Sequence, residues 1–220
     1  MTTKNKTGSL VLYIIIFYGL WASSELFVFD KLSSIITNEV LFQFIRSALV
    51  KNLLWTFPAL VLIHRFKSDM YVTLKEMFSI KVNWLKYLPI FILFTVYLLG
   101  GALLQKGRLE ISSSFGFDEV IILLFVGITE ELVFRGWLLN ATISKDKELR
   151  YIIINALMFL AIHFPIWISE GVFISNFTSL GFLSILALSV IFSHTFIKSK
   201  NILIPITLHT YWDLLVFMFY

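Results

Sequence analysis

Residues 117–140 read FDEVIILLFVGITEELVFRGWLLN, an apolar run with two adjacent carboxylates near its middle. As a helix this stretch rises ~36 Å at ~1.5 Å per residue, enough to cross a ~30 Å hydrocarbon core with some tilt. Glu130, Glu131 and Arg135 then lie at membrane depth. An ionisable group there costs at least ~2 kcal/mol unless it is paired or faces a polar cavity. Glu131 and Arg135 are four apart with the acid first, so they pair along one face. Taken alone, those two are accounted for by stapling the helix into a bundle. Glu130 points ~100° away from Glu131 and has Phe134 as its i+4 neighbour, so its own helix offers it no partner.

Composition agrees with a membrane setting. Of the 220 residues 58% are hydrophobic and only 15% charged, against about a quarter charged in soluble domains, which places the chain among polytopic membrane proteins. Zero cysteines exclude disulfides, thiolate metal sites and a cysteine nucleophile. The net charge of +4 does not imply nucleic acid, because the bases sit between apolar spans, where the positive-inside rule accounts for them. The expected architecture is an all-α transmembrane bundle of seven, or eight, helices in one integral domain, 1–220, with a motif-bearing core at about 117–213.

Taken in order, the first span covers 9–29 and resembles a signal peptide only superficially, since its apolar run continues to Phe29 and further spans follow. Glu25 near its far end reads as structural, snorkelling to the interface. The continuous stretch 33–66 is too long for one span, so it divides into an interfacial helix at about 33–45 and a second span at 47–65, kinked at Pro58. Residues 67–84 mix Tyr71, Leu74, Met77, Phe78 and Ile80 with Lys75, Glu76 and Lys81, as an amphipathic surface segment would. Spans at 87–104, 117–140, 150–168, 180–197 and 202–220 follow, with a loop or re-entrant piece at 169–179. Gly100 and Gly101 suit close helix contact.

Lysine and arginine orient the chain. Lys4, Lys6, Arg65, Lys67, Lys75, Lys81, Lys86, Lys145, Lys147, Arg150, Lys198 and Lys200 fall on the N-terminal side; Lys31, Arg46, Lys51, Lys106 and Arg108 fall opposite. The imbalance puts the N-terminus in the cytoplasm. Besides the acidic helix, two spans carry ionisable groups at depth: His163 on one, His209 and Asp213 on the last. Counted from the cytoplasmic ends, Glu130, His209 and His163 lie ~15, ~12 and ~20 Å deep, so one polar pocket opening toward the cytoplasm can serve all three. His209 and Asp213 are four apart, so the carboxylate can orient the imidazole. His64 and His194, near the interface, read as structural.

Three motifs now stand in order. EELVFRG at 130–136 resembles the EExxFRG signature of the CPBP intramembrane peptidases, the group of type II CAAX proteases and bacteriocin-immunity proteins. FLAIH at 159–163 resembles its FxxxH motif, and HTYWD at 209–213 its HxxxN or HxxxD motif. The resemblance covers about 117–213. It implies an intramembrane endopeptidase in which Glu130 and His163 activate water while His209 and residue 213 steady the oxyanion, with Glu131 and Arg135 in support. Two features depart from the pattern. An ionised Asp213 accepts hydrogen bonds but cannot donate one to an oxyanion, as the Asn of many relatives does, so it is expected to work through His209. The family also commonly shows eight helices where seven are counted.

The setting implied is the plasma membrane of a bacterium, and the substrate a membrane-embedded peptide or protein cut near the cytoplasmic face. No cofactor and no nucleic acid are expected; were a metal such as zinc bound, Glu130, His163 and His209 would be its ligands. HExxH, GxGD and serine-nucleophile signatures are missing. The alternative function is a non-catalytic membrane partner of a bacteriocin, receptor or sensor kinase. The separating feature is the retention of an unpaired Glu130 and two histidines at membrane depth.

Overall fold

Backbone groups in a hydrocarbon medium must be satisfied within the chain, and a single helix does this locally. In the computed structural model, which describes residues 3–220, every regular element among the described residues is helical. The side chains of Lys4 and Lys145, two of the bases counted for orientation, lie outside the described residues. The elements are α1 (Asn5–Ile35), α2 (Glu39–Arg65), α3 (Leu74–Ser79), α4 (Leu88–Lys106), α5 (117–142), α6 (Glu148–Ser169), α7 (Phe173–Thr178), α8 (Gly181–Ser199) and α9 (Leu203–Phe219). Helices α1, α2, α4, α6 and α8 are each long and apolar enough to cross a membrane. Charged α5 and the shorter α9 bring the long rods to seven, and the protein is an integral membrane protein.

The expected interfacial helix at 33–45 does not form. Residues up to Ile35 extend α1, the chain turns at 36–38, and α2 runs from Glu39 as one rod. Asn38 causes the break: its side chain accepts the Leu41 amide at 2.9 Å, capping the new helix. An ion pair then closes the hairpin, with Arg46 donating to both carboxylate oxygens of Glu25 at 2.7 and 2.8 Å. Glu25 therefore does not snorkel; it is 4% exposed and its charge is met inside the protein.

Hydrogen bonds between connections sort the rod ends into two faces. On one, Lys6 donates to the Asp69 carbonyl, Asn140 exchanges bonds with the backbone of Val72, and Asn201 donates to the Ile80 carbonyl at 2.7 Å. That last bond, with Ile202 N–H to the Met77 carbonyl, docks amphipathic α3 against the start of α9. On the other, Lys106 donates to the Phe219 carbonyl and Ser112 N–H to that of Met218. The segment 169–179 resolves into the end of α6 and the short α7.

The main core joins Tyr13, Phe17 and Trp21 of α1 to Trp55 of α2 and Phe134 and Trp137 of α5. Edge-on aromatic contacts run through it, Trp21 to Trp55 at 4.5 Å and Phe17 to Trp55 at 4.8 Å. A second cluster, around Phe94, Phe192, Ile204 and Leu208, binds α4, α8 and α9. Helix α5 touches α2, α6, α8 and α9, which is how side chains distant in sequence meet along it.

Candidate active site

The middle of α5 brings both carboxylates inward. Glu130 is 5% exposed, and Glu131 and Arg135 are fully buried. The expected pair forms, Arg135 Nη1 donating to Glu131 Oε1 at 2.8 Å. The guanidinium also reaches α8, where its Nη2 donates to the carbonyl and hydroxyl of Ser189 at 3.0 and 2.7 Å. Above it lie the rings of Phe159 and Phe192, 4.7 and 5.4 Å from the guanidinium carbon.

From α9, His209 enters between the carboxylates. Its Nδ1 lies 2.9 Å from Glu131 Oε1. A carboxylate that already accepts from Arg135 can only accept, so Nδ1 carries the proton. Nε2 then faces Asp213 Oδ2 at 3.4 Å and Glu130 Oε2 at 3.9 Å. Asp213 is near the imidazole, as the spacing suggested, but the hydrogen bond that fixes the ring comes from Glu131. Phe192 stacks on the ring with centroids 5.0 Å apart.

His163 ends the first part of α6, where its Nδ1 lies 2.9 Å from the Phe159 carbonyl. That acceptor likewise places the proton on Nδ1 and leaves Nε2 with a lone pair. The Phe159 ring contacts both imidazoles, 5.3 Å from His163 and 5.8 Å from His209, and so spaces the second and third motifs. His64 and His194 are exposed, away from this cluster.

Glu130 is not unpaired. Lys51 Nζ from α2 donates to Glu130 Oε1 at 2.7 Å, with the two side chains 10% and 6% exposed. A base counted on the outer side is thus inside the bundle, and Arg46, counted there too, is half-buried against Glu25. Removing both from the outer tally leaves Lys31, Lys106 and Arg108. The pairing also weakens the contrast between enzyme and binding partner that rested on a carboxylate without a counter-charge. Among the described residues, no three His, Asp or Glu side chains are placed to hold a metal ion. The Lys51 ammonium already neutralises Glu130, the carboxylate expected to be a ligand, through Oε1.

Comparison with known families bears on this arrangement of three motifs. Residues 112–215 match the model of the type II CAAX prenyl endopeptidase Rce1-like family. This segment is a Rce1-like domain. It covers just under half of the chain and contains Glu130, Glu131, Arg135, His163, His209 and Asp213, in agreement with the resemblance to the CPBP group. No curated protein and no solved structure matches the chain significantly. The match supports a CAAX-type intramembrane protease acting on a membrane-associated substrate.

Two contributors to the Rce1-like site escaped the sequence reading. Asn155 of α6 donates to the Phe134 carbonyl at 2.9 Å and accepts from Ser193, tying α5, α6 and α8 together; a buried Asn one turn from Phe159 was its only signal. Lys51 was the other. Its signal was a lone lysine within an otherwise apolar span, the pattern already noticed for Glu130.

Proposed function

We propose that this protein hydrolyses a peptide bond in a membrane-embedded peptide or protein by glutamate-activated water, without a metal or other cofactor. Glu130 is the general base. Its Oε2 lies 3.9 Å from His209 Nε2, and with His163 it takes a proton from water as the oxygen attacks the carbonyl carbon. His209 stabilises the oxyanion, its ring fixed by Glu131. Asp213, 3.4 Å from His209 Nε2, acts through that ring. The protonated Glu130 then returns its proton to the leaving amine. The single observation that carries this reading is the convergence of the three motifs, from α5, α6 and α9, on one cluster in which Glu130, Glu131 and His209 are buried and His163 and Asp213 half-buried.

A bound divalent ion is disfavoured because it would sit against the Lys51 ammonium. The lysine and arginine distribution supports a cytoplasmic N-terminus in a bacterial plasma membrane, with cleavage near the cytoplasmic face. The chain acts as one integral domain, because α1 and α2 share the core of the Rce1-like segment.

The test is a panel of internally quenched membrane peptides, one a prenylated CAAX peptide, offered to the protein in liposomes. Wild type should cleave at least one member, and Glu130→Gln should lower that rate by ~10²–10⁴-fold while the protein inserts normally. Chelation should leave the rate unchanged. No cleavage of any member, or full activity in Glu130→Gln, His163→Ala and His209→Ala together, would favour a non-catalytic binding role. Loss of activity on chelation, restored by zinc, would replace the metal-free mechanism.

A further inference from the structure

The matched domain begins at residue 112, yet the nearest charge to its central carboxylate comes from α2. Lys51 lies between two runs, Ile45–Val50 and Asn52–Thr56, in which the helix widens to i→i+5 hydrogen bonding. Such widened turns re-aim side chains and concentrate at functional sites. Here they point the lysine across the bundle, Nζ against Glu130 Oε1 and 5.2 and 4.9 Å from the rings of Trp21 and Trp55. The two indoles form apolar walls that favour a cation and exclude other partners for it. Trp21 also donates to the Ile162 carbonyl at 3.0 Å, linking this box to the turn that carries His163.

We infer that Lys51 is a positioning residue of the active site, and that the segment before residue 112 completes the catalytic machinery as well as anchoring it. The inference rests on Glu130 being the base. With Oε1 held by the ammonium, the carboxylate plane is fixed and Oε2 is the oxygen presented to water, on the side of His209. When water attacks, one O–H bond breaks and its proton passes to Oε2. The new C–O bond forms, and the carbonyl π electrons become the oxyanion. Negative charge thus moves from Glu130 to the substrate while Lys51 stays in place, so the buried net charge is constant throughout the step. Arg135 does not serve here, being committed to Glu131 and Ser189.

The experiment compares Lys51→Met, which keeps the stem and removes the charge, with Lys51→Arg and with Lys51→Met combined with Glu130→Gln. Thermal unfolding of purified protein reads the pair itself. Lys51→Met should lower Tm by about 10 °C and adding Glu130→Gln should recover most of it, since an unmatched buried carboxylate is then removed. Kinetics on the best-cleaved panel peptide read the role. Lys51→Met should lower kcat by about 100-fold with KM changed less than about threefold, and Lys51→Arg should restore at least a tenth of the activity. Additive Tm effects would overturn the inference, as would full kcat in folded Lys51→Met. If Lys51→Met retains activity while Glu130→Gln abolishes it, Lys51 is only structural and the reading of Glu130 stands. If wild type and every variant are inactive on all the peptides, it is the reading of Glu130 that fails, and with it this inference.

Discussion

Arg135 supports the site: its guanidinium donates to Glu131 and Ser189 and lies against two rings, while Glu130 takes its hydrogen bond from Lys51. Arg135 is fully buried. Removing one partner of a buried pair leaves the other charge uncompensated, at ~3–5 kcal/mol. Arg135→Ala should therefore destabilise by about that much, read as a lowered unfolding midpoint in detergent. Arg135→Lys should fall between, because a single ammonium cannot reproduce the fork that meets Glu131 and Ser189 together. Wild-type stability in Arg135→Ala would show that Glu131 finds another partner. This pair was legible in the sequence because four residues along one helix fix the geometry. The Lys51–Glu130 pair was not. Seventy-nine positions separate its members, and no periodicity reports which face of α2 meets α5.

At the scale of elements, glycine decides how closely α5 and α9 approach. A Cβ on Gly127 would run into Thr210 Oγ1 and come within 3.4 Å of the Ile206 carbonyl, whereas one on Gly136 would meet only ordinary contacts at 3.7 and 3.8 Å. Gly127→Ala should thus cost ~1–3 kcal/mol, and Thr210→Ala in the same chain should recover part of it. Gly136→Ala, though inside the first motif, should be tolerated within ~1 kcal/mol. Comparing unfolding midpoints of the three variants decides the matter; equal losses at the two glycines would contradict the packing described. The motif marked Gly136 and gave no hint of Gly127, since only the partner helix reveals which glycine is approached. The rods themselves were largely legible, because ~20 apolar residues declare a span whatever its neighbours. The widened turns were not. Glu25 lies in Ser24–Val28, Arg46 in Ile45–Val50 and Arg135 in Leu132–Leu139, each re-aimed by register changes that residue type does not encode. The expected interfacial helix at 33–45 rested on length, whereas the first rod takes residues to Ile35 and the second, from Glu39, is long enough to hold the rest, with Arg46 neutralised by Glu25 across the hairpin.

For the whole molecule, a sequence without cysteine gives direct access to orientation. Single cysteines at the exposed Ser113 and Asp146 lie at opposite faces of the bundle. With the N-terminus in the cytoplasm, an impermeant maleimide should label Ser113→Cys on intact cells and Asp146→Cys only after permeabilisation; the reverse pattern would invert the molecule. Orientation fixes which side of the membrane supplies water and receives product, but the chemistry is tested elsewhere. The most direct measurement is a single turnover of the best-cleaved panel peptide in water enriched with heavy oxygen, followed by mass analysis of product and protein. Water activated by Glu130 should place one heavy oxygen in the new carboxylate of the product at the first turnover, leave Glu130 unlabelled, and give no product from Glu130→Gln. An unlabelled first product with label on Glu130, or a labelled product formed by Glu130→Gln at the wild-type rate, would contradict glutamate-activated hydrolysis.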